Sequence, residues 1–329
     1  MRFVLICLLL CSAATAQEAF VGQRLMYKSG TQFVRDGVRV DIRQISVPLV
    51  IKEVKGEWLD IGPAQIKITD AVPLEHAIDY YTDYLDQNPM SSWAYNLRAI
   101  AWRQWGQAEN AIDDYTSAIR LNPKSATTYS NRSSLWTAKG DLDKALRDLD
   151  EAIRLDAKYI RAYYRRGNVL RAKRQYDAAL KDYDEAIRLD PKFTWAYNNR
   201  GVTWKAKGNL DAAVKDYEEA VRLDPEYATA LNNLAWVRAT ANNEKFRNAQ
   251  QAVECATKAC ELTFWKDATM LSTLAAAYAE SGDFVRAIQW QTAAIDLAPE
   301  TNKAGYRTRV DLFLSGKPYR ELLRLQQAK

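Results

Sequence analysis

The 329-residue chain holds one histidine and four cysteines. No apolar run beyond its N-terminus approaches the length of a membrane span. A lone His76 leaves no basis for histidine-centred metal or acid–base chemistry. Cys7 and Cys11 fall in a segment expected to be removed. Cys255 and Cys260 stand five apart on one helix and point in different directions, so no disulfide between them is expected. A net charge of +5 is too weak, alone, to imply nucleic acid. Catalytic signatures are missing too: there is no phosphate-cradling Gly-rich loop, no Cys-x-x-Cys, no His-Glu-x-x-His and no Gly-x-Ser-x-Gly. Acid pairs such as Asp113-Asp114 recur at a fixed period, the mark of a solvated face rather than of a catalytic pair. No enzyme activity, cofactor or metal is expected.

The N-terminus has a plain pattern. Arg2 precedes an apolar run from Phe3 to Leu10, and small residues lead to Ala14-Thr15-Ala16. Residues 1–16 thus read as a secretory signal cleaved before Gln17. The run is too short to anchor the chain across a bilayer, and Leu10 before Cys11 does not suit a lipoprotein signal. An exported protein, periplasmic or extracellular, is expected.

Residues 20–72 alternate as half-buried strands do, in Val38-Arg39-Val40-Asp41-Ile42 and Gln65-Ile66-Lys67-Ile68. Lys55-Gly56 separates Leu49–Val54 from Trp58–Ile61 as a tight hairpin. The Gly56-Glu57-Trp58-Leu59 turn resembles bacterial SH3-like domains, although Ala64-Gln65-Ile66 stands where those have a Gly-Trp-Val strand. The resemblance implies a small β-barrel and, more weakly, a capacity for peptide or wall material. Tyr27, Phe33 and Trp58 are read as its core, because small barrels fill themselves with side chains.

The rest of the chain repeats every 34 residues. Tyr129, Tyr163 and Tyr197 share one column; Ala145, Ala179 and Ala213 a second; Ala152, Ala186 and Ala220 a third. Ser133, Gly167 and Gly201 hold a small-residue column on a first helix, so that a second helix can approach closely. The second helix places Leu149, Tyr183 or Tyr217 between its alanines. Gly140 and Gly208 mark the reversal, and Pro191 and Pro225 close their units. This pattern resembles the tetratricopeptide repeat (TPR) family, whose unit is a pair of antiparallel helices.

The resemblance implies a mainly α fold, a right-handed α-solenoid of about six hairpins. Its units are 92–125, 126–159, 160–193, 194–227, 228–267 and 268–301. A half-repeat helix at 73–91, with Ala77, Tyr81 and Tyr84 in register, precedes them. Capping helices at 302–329, including a short one after Lys317-Pro318, follow. Two positions depart from the pattern: Ala157 replaces proline and Arg174 replaces glycine. Unit five is six residues too long, the surplus lying around Ala241 to Asn248, and Arg238 sits in a column that is apolar elsewhere.

Charge is sorted by helix. The first helices of units one to four carry twelve lysines and arginines and no acid, whereas the second helices carry sixteen acids against eight bases. In TPR-like solenoids first helices line the concave groove, so the resemblance implies a cationic groove. Arg98, Arg132, Arg166 and Arg200 share one column and Asp114, Asp148, Asp182 and Asp216 another, as an ion-pair ladder between helices would. Beyond that ladder, Asn131, Arg161, Arg165, Asn168, Arg171, Asn198 and Lys205 are the candidate peptide-binding residues, since Arg forks and amides suit carboxylates and peptide backbone. Asn131, Arg161 and Arg165 match three of the five positions of the carboxylate-clamp TPR proteins. Asn96 and Ile100 stand where those have lysine and asparagine. Trp93 and Trp195 are either groove platforms or packing between units. The expected function is that of a non-catalytic, exported protein–protein interaction scaffold binding an acidic or extended peptide. The alternative is an anionic polymer, a wall polysaccharide or nucleic acid.

Overall fold

The computed structural model describes residues 22–35, 38–39, 48–55, 58–67 and 70–321. The expected secretory signal and the turn at Gly56 lie outside the described residues. The described chain divides into two compact units, one ending at Asp156 and the other starting at Ala157.

In the first unit, eight short strands are described: β1 (Arg24–Tyr27), β2 (Val34–Arg35), β3 (Val38–Arg39), β4 (Leu49–Val50), β5 (Glu53–Lys55), β6 (Trp58–Asp60), β7 (Gln65–Lys67) and β8 (Ala71–Pro73). They form two antiparallel sheets of order β4-β1-β8 and β3-β2-β7-β6-β5. Leu59 faces Ile66 across β6 and β7, and both are buried; a one-residue slip would turn each outward, so the register is pinned. The segment from Leu49 to Lys55 joins the sheets, pairing with β1 in its first half and with β6 in its second. The expected barrel is not closed. Closure would require β3 to meet β8, and no such pairing exists among the described residues. Strands of two to four residues offer too few rungs for the stagger that closes a barrel.

The β layer shares its core with the first helices, α1 (Leu74–Gln87) and α2 (Ser92–Gln104). The Tyr81 hydroxyl donates to the Tyr27 carbonyl at 2.7 Å. The Trp93 ring sits 6.0, 5.7 and 5.6 Å from those of Tyr27, Tyr81 and Tyr84. Trp93 is therefore packing between α2, α1 and β1, not a platform for a guest. Tyr27 and Phe33 are buried core, and Trp58 is half-buried beneath Lys67. The hairpins α2–α3 (Ala108–Leu121) and α4 (Ala126–Ala138)–α5 (Leu142–Leu155) complete this unit.

The second unit stacks four hairpins: α6 (Ile160–Ala172)–α7 (Tyr176–Leu189), α8 (Thr194–Ala206)–α9 (Leu210–Leu223), α10 (Ala228–Thr240)–α11 (Ala249–Leu262) and α12 (Ala268–Glu280)–α13 (Phe284–Leu297). Helix α14 (Glu300–Leu314) follows. The alanine columns are fully buried, as at Ala179, Ala186, Ala213 and Ala220. The small residue of each first helix makes room for an aromatic ring rather than for backbone. A Cβ added at Gly167 would lie 2.7 Å from the Tyr183 ring, and one at Gly201 2.7 Å from the Tyr217 ring. Polar side chains start the helices: Ser91, Ser125, Asp141 and Asn209 each accept a backbone N–H from the first turn. Gly140 and Gly208 reverse the chain at φ 80° and 83°, and Arg174 is forced to φ 60° in the same turn.

Two departures from the repeat meet at one place. The surplus of unit five holds a 3-10 turn, Glu244–Phe246. The residues after Lys317-Pro318, expected as helix, run without helix as far as Glu321, whose N–H donates to the Thr240 carbonyl at 2.9 Å. Glu321 forms a parallel bridge with Ala241, the first residue of the surplus. Pro318 cannot sit inside a helix, and its neighbours find backbone partners on α10 instead.

Two substitutions test this packing. Arg174→Gly should stabilise the chain by about 1 kcal/mol, since only glycine adopts the left-handed turn freely. Gly201→Val should cost about 1–3 kcal/mol by overpacking against Tyr217. Urea unfolding of both variants measures the two effects, and equal midpoints would contradict this packing.

Candidate functional site

The arginine and aspartate columns form bidentate bridges. Arg98 donates from Nε and Nη2 to Asp114 at 2.8 Å each. Arg132–Asp148, Arg166–Asp182 and Arg200–Asp216 repeat the geometry between the two helices of their hairpins. Each of these aspartates is 5% exposed. The remaining Nη1 of Arg98 and Arg132 reaches a threonine of the preceding second helix, Thr82 or Thr116, and that of Arg200 reaches Asp184. Burial opposes the charge of Arg200, yet the hydrogen bonds and charges of Asp216 and Asp184 hold its pKa above the usual range. A planar fork fits a carboxylate in one orientation only, so each bridge sets how its two helices face each other.

Further cations on the first helices are also matched. Lys139 bonds Glu109, Lys207 bonds Asp177, and Lys205 lies 3.0 Å from Glu321. The cationic face read from the sequence is largely neutralised by acids that sequence distance hides. Arg161 is exposed in the first turn of α6, and Arg165 is half-buried and not free. Asn131 belongs to the first unit and the two arginines to the second.

The asparagines are spent between helices. Asn199 Nδ2 donates to Asn168 Oδ1 at 2.8 Å and to the Tyr164 hydroxyl at 3.0 Å, and the Tyr183 hydroxyl also donates to Asn168. Asn233 Nδ2 donates to Asn198 Oδ1 at 2.9 Å. These amides tie α6, α8 and α10 side by side, which leaves Asn168 and Asn198 as scaffold rather than grip. Trp195 remains 48% exposed, edge-on to Phe193, which is itself edge-on to Tyr164.

The structure brings together a set that the sequence reading largely missed. Glu321 accepts a hydrogen bond from Trp236 Nε1 at 2.8 Å beside Lys205. Arg309 lies 4.9 Å from the rings of Trp236 and Tyr319, 5.3 Å from that of Tyr306, and donates to Ser272 Oγ at 2.6 Å. Arg320 pairs with Glu280, which Arg247 also holds. Arg171 places a buried Nε that lacks a hydrogen-bond partner among the described residues. Burial, then the charge of Glu321, push the Tyr217 phenol up, with Arg171 acting against them. Lys205 and Arg171 were candidates by sequence; Trp236, Arg309 and Glu321 were not. The available signals were the six-residue surplus and the arginine in an apolar column.

Burial pushes the Cys255 thiol up to about 11 and the Cys260 thiol up to about 12, and both are free. Among the described residues no cluster of His, Cys, Asp and Glu could hold a metal ion, and no helix is long and apolar enough to cross a membrane.

Stacked two-helix repeats with matched small and aromatic columns define a helical-hairpin repeat protein. Four stretches match tetratricopeptide-repeat models: those described as "Tetratricopeptide repeat" match residues 94–125, 160–193 and 194–227, and one described as "TPR repeat" matches 136–173. No curated protein matches the chain. Among solved structures, the APC/C hetero-tetramer Cut9–Hcn1 is 16% identical over 72% of this chain and 46% of that one, with a TM-score of 0.62, a likeness of fold. MamA is 26% identical over 47% of this chain and 91% of its own, with a TM-score of 0.45. YrrB, titled "a TPR protein with an unusual peptide-binding site", is 23% identical over 59% and 97%, with a TM-score of 0.45.

Arg132→Ala, which strands a buried aspartate, should destabilise the chain by about 3–5 kcal/mol. Lys139→Ala, which removes an exposed pair, should cost less than about 1 kcal/mol. Denaturant midpoints compare the two; similar losses would refute the assignment of the bridges as the rigid element.

Proposed function

We propose that this chain is a non-catalytic protein-interaction scaffold whose first-helix face in the second unit takes an extended, acidic segment of a partner. The observation that carries the reading is the extended stretch ending at Glu321, held there by Lys205 and Trp236 through its carboxylate and by Thr240 through its backbone. An exposed Trp195 and an exposed Arg161 extend the same set of first helices with an aromatic surface and a cation. Hairpin repeats suit such a role, because each unit contacts only its neighbours and leaves its outer surface available. The β layer is read as an SH3-like module supporting this scaffold. The apolar run and Ala14-Thr15-Ala16 support export to a periplasmic or extracellular space.

Anionic polymer is the weaker reading. Lys139, Lys205 and Lys207 each have an acidic partner within the chain, which leaves few cations to track a phosphate or sulfate backbone.

A photo-cross-linker placed at Trp195, with mass spectrometry on the exported fraction, tests the proposal. Cross-links to acid-rich segments of one protein, lost on Arg161→Glu, are expected. Cross-links that persist unchanged in Arg161→Glu would overturn the acidic-partner reading. A chain purified from that fraction should begin at Gln17; one that retains Met1 would contradict export.

A further inference from the structure

We propose that Tyr319–Glu321 is a displaceable internal occupant of a peptide site, and that the site's outside ligand is an extended segment with an aromatic residue two positions before a carboxylate. This rests on the reading of the first-helix face as a binding surface, and it adds the form of the ligand and the means by which access is controlled.

The site is assembled from the first helices of three repeats and from the helix that follows them. Lys205 comes from α8, Trp236 and the Thr240 carbonyl from the end of α10, Ser272 and Glu280 from α12, and Arg309 from α14. The occupant enters as a strand does. It adds a single parallel bridge at Ala241, where α10 has just ended and the backbone is extended at φ −56° and ψ 133°. Strand addition of this kind supplies affinity through the main chain and leaves specificity to alternate side chains. Here the alternate side chains are Tyr319 and Glu321. The tyrosine ring packs against Trp236 at 5.7 Å and beneath the Arg309 guanidinium at 4.9 Å, while the glutamate meets Lys205 and Trp236 Nε1. Arg320 between them turns the other way, to Glu280.

Three observations separate a bound guest from a structural strut. No residue of the tripeptide is fully buried; Tyr319, Arg320 and Glu321 are all half-buried. Apart from the Tyr319 ring, which packs on Trp236 and against the cluster around Phe313, its anchors are the tips of polar side chains and one backbone hydrogen bond, so a competing segment with an aromatic and a carboxylate can replace them. The receptor groups depend on it: among the described residues Lys205 Nζ and Trp236 Nε1 have no other polar partner. The register break serves the same end. Six surplus residues free the Ala241 backbone from the hairpin turn, while Arg247 ties them down through the Ala241 and Asn242 carbonyls and Glu280. Without that break α10 would turn directly into α11, and no edge would be open to a strand.

The test adds a fluorescein-labelled peptide of residues 316–324 in trans to the full chain and reads anisotropy. The double variant Tyr319→Ala with Glu321→Ala vacates the internal site and should bind the peptide at least tenfold more tightly than the unaltered chain. Adding Lys205→Glu to that variant should remove the binding, and a peptide carrying lysine in place of its glutamate should not bind. Equal affinity for the vacated and unaltered chains overturns displacement. Failure of a vacated, helical chain to bind the peptide overturns the site, and loss of helical circular dichroism on vacating it shows a strut, which overturns it as well. Peptide binding with partner cross-linking at Trp195 absent would sink the proposed partner but not this site; the converse would sink this site alone.

Discussion

A guanidinium fork and a carboxylate, both mostly withdrawn from water, recur four times between the helices of successive hairpins. Removing two charges from solvent costs several kcal/mol per ion, and good geometry does little more than offset it. The return is specificity. Once an aspartate is buried on the second helix, only one rotation of the first helix brings the arginine to it. Tyr95, Tyr129, Tyr163 and Tyr197 then lie beside their arginines at 5.4–5.9 Å, adding a cation–π contact to each bridge. The buried tyrosine of the second helix fills the space above a glycine in two repeats. The first helices α2, α4, α6 and α8 are thereby locked, each with a defined outward surface.

That locking decides what remains for recognition. The ladder consumes four arginines, surface pairs take more of the lysines, and the asparagines bind one another across helices. Little free charge survives on the first helices of the second unit. What survives is local: an exposed tryptophan and arginine toward its start, and toward its end a carboxylate receptor that the chain fills itself. Of the receptor's helices α8 is fixed by the ladder through Arg200, and Asn233 on α10 is tied to Asn198 on α8, so that part of the receptor is preorganised and a guest bears less of the cost of ordering it.

Much of the fold was legible in the sequence because its determinants are local and periodic. The small–large columns, the capping residues and the paired Arg and Asp columns each sit within one hairpin, and the structure places them as their spacing implies. Features that depend on distant partners were not legible. Strand alternation shows a half-buried layer but not whether its ends meet, so a barrel was read where two open sheets stand. Trp93 falls in a first-helix column, yet its neighbours are a strand and a half-repeat helix that no column links to it. Lys205 was legible as a cation on the right face, but its partner is a glutamate more than a hundred residues later. Lys317-Pro318 looks like punctuation before another helix, and nothing in the local sequence tells that Glu321 pairs with a carbonyl on α10.

Hydrogen exchange at the Glu321 amide addresses the central claim, that the first helices of the second unit present a site for an extended acidic segment. The account predicts protection of that amide well below that of the α10 amides, lost in Lys205→Glu while the α10 amides stay protected. An amide that exchanges as fast as free peptide would show that the site does not hold its segment. One protected as strongly as the helix core would show a permanent part of the fold, with no site to offer a partner.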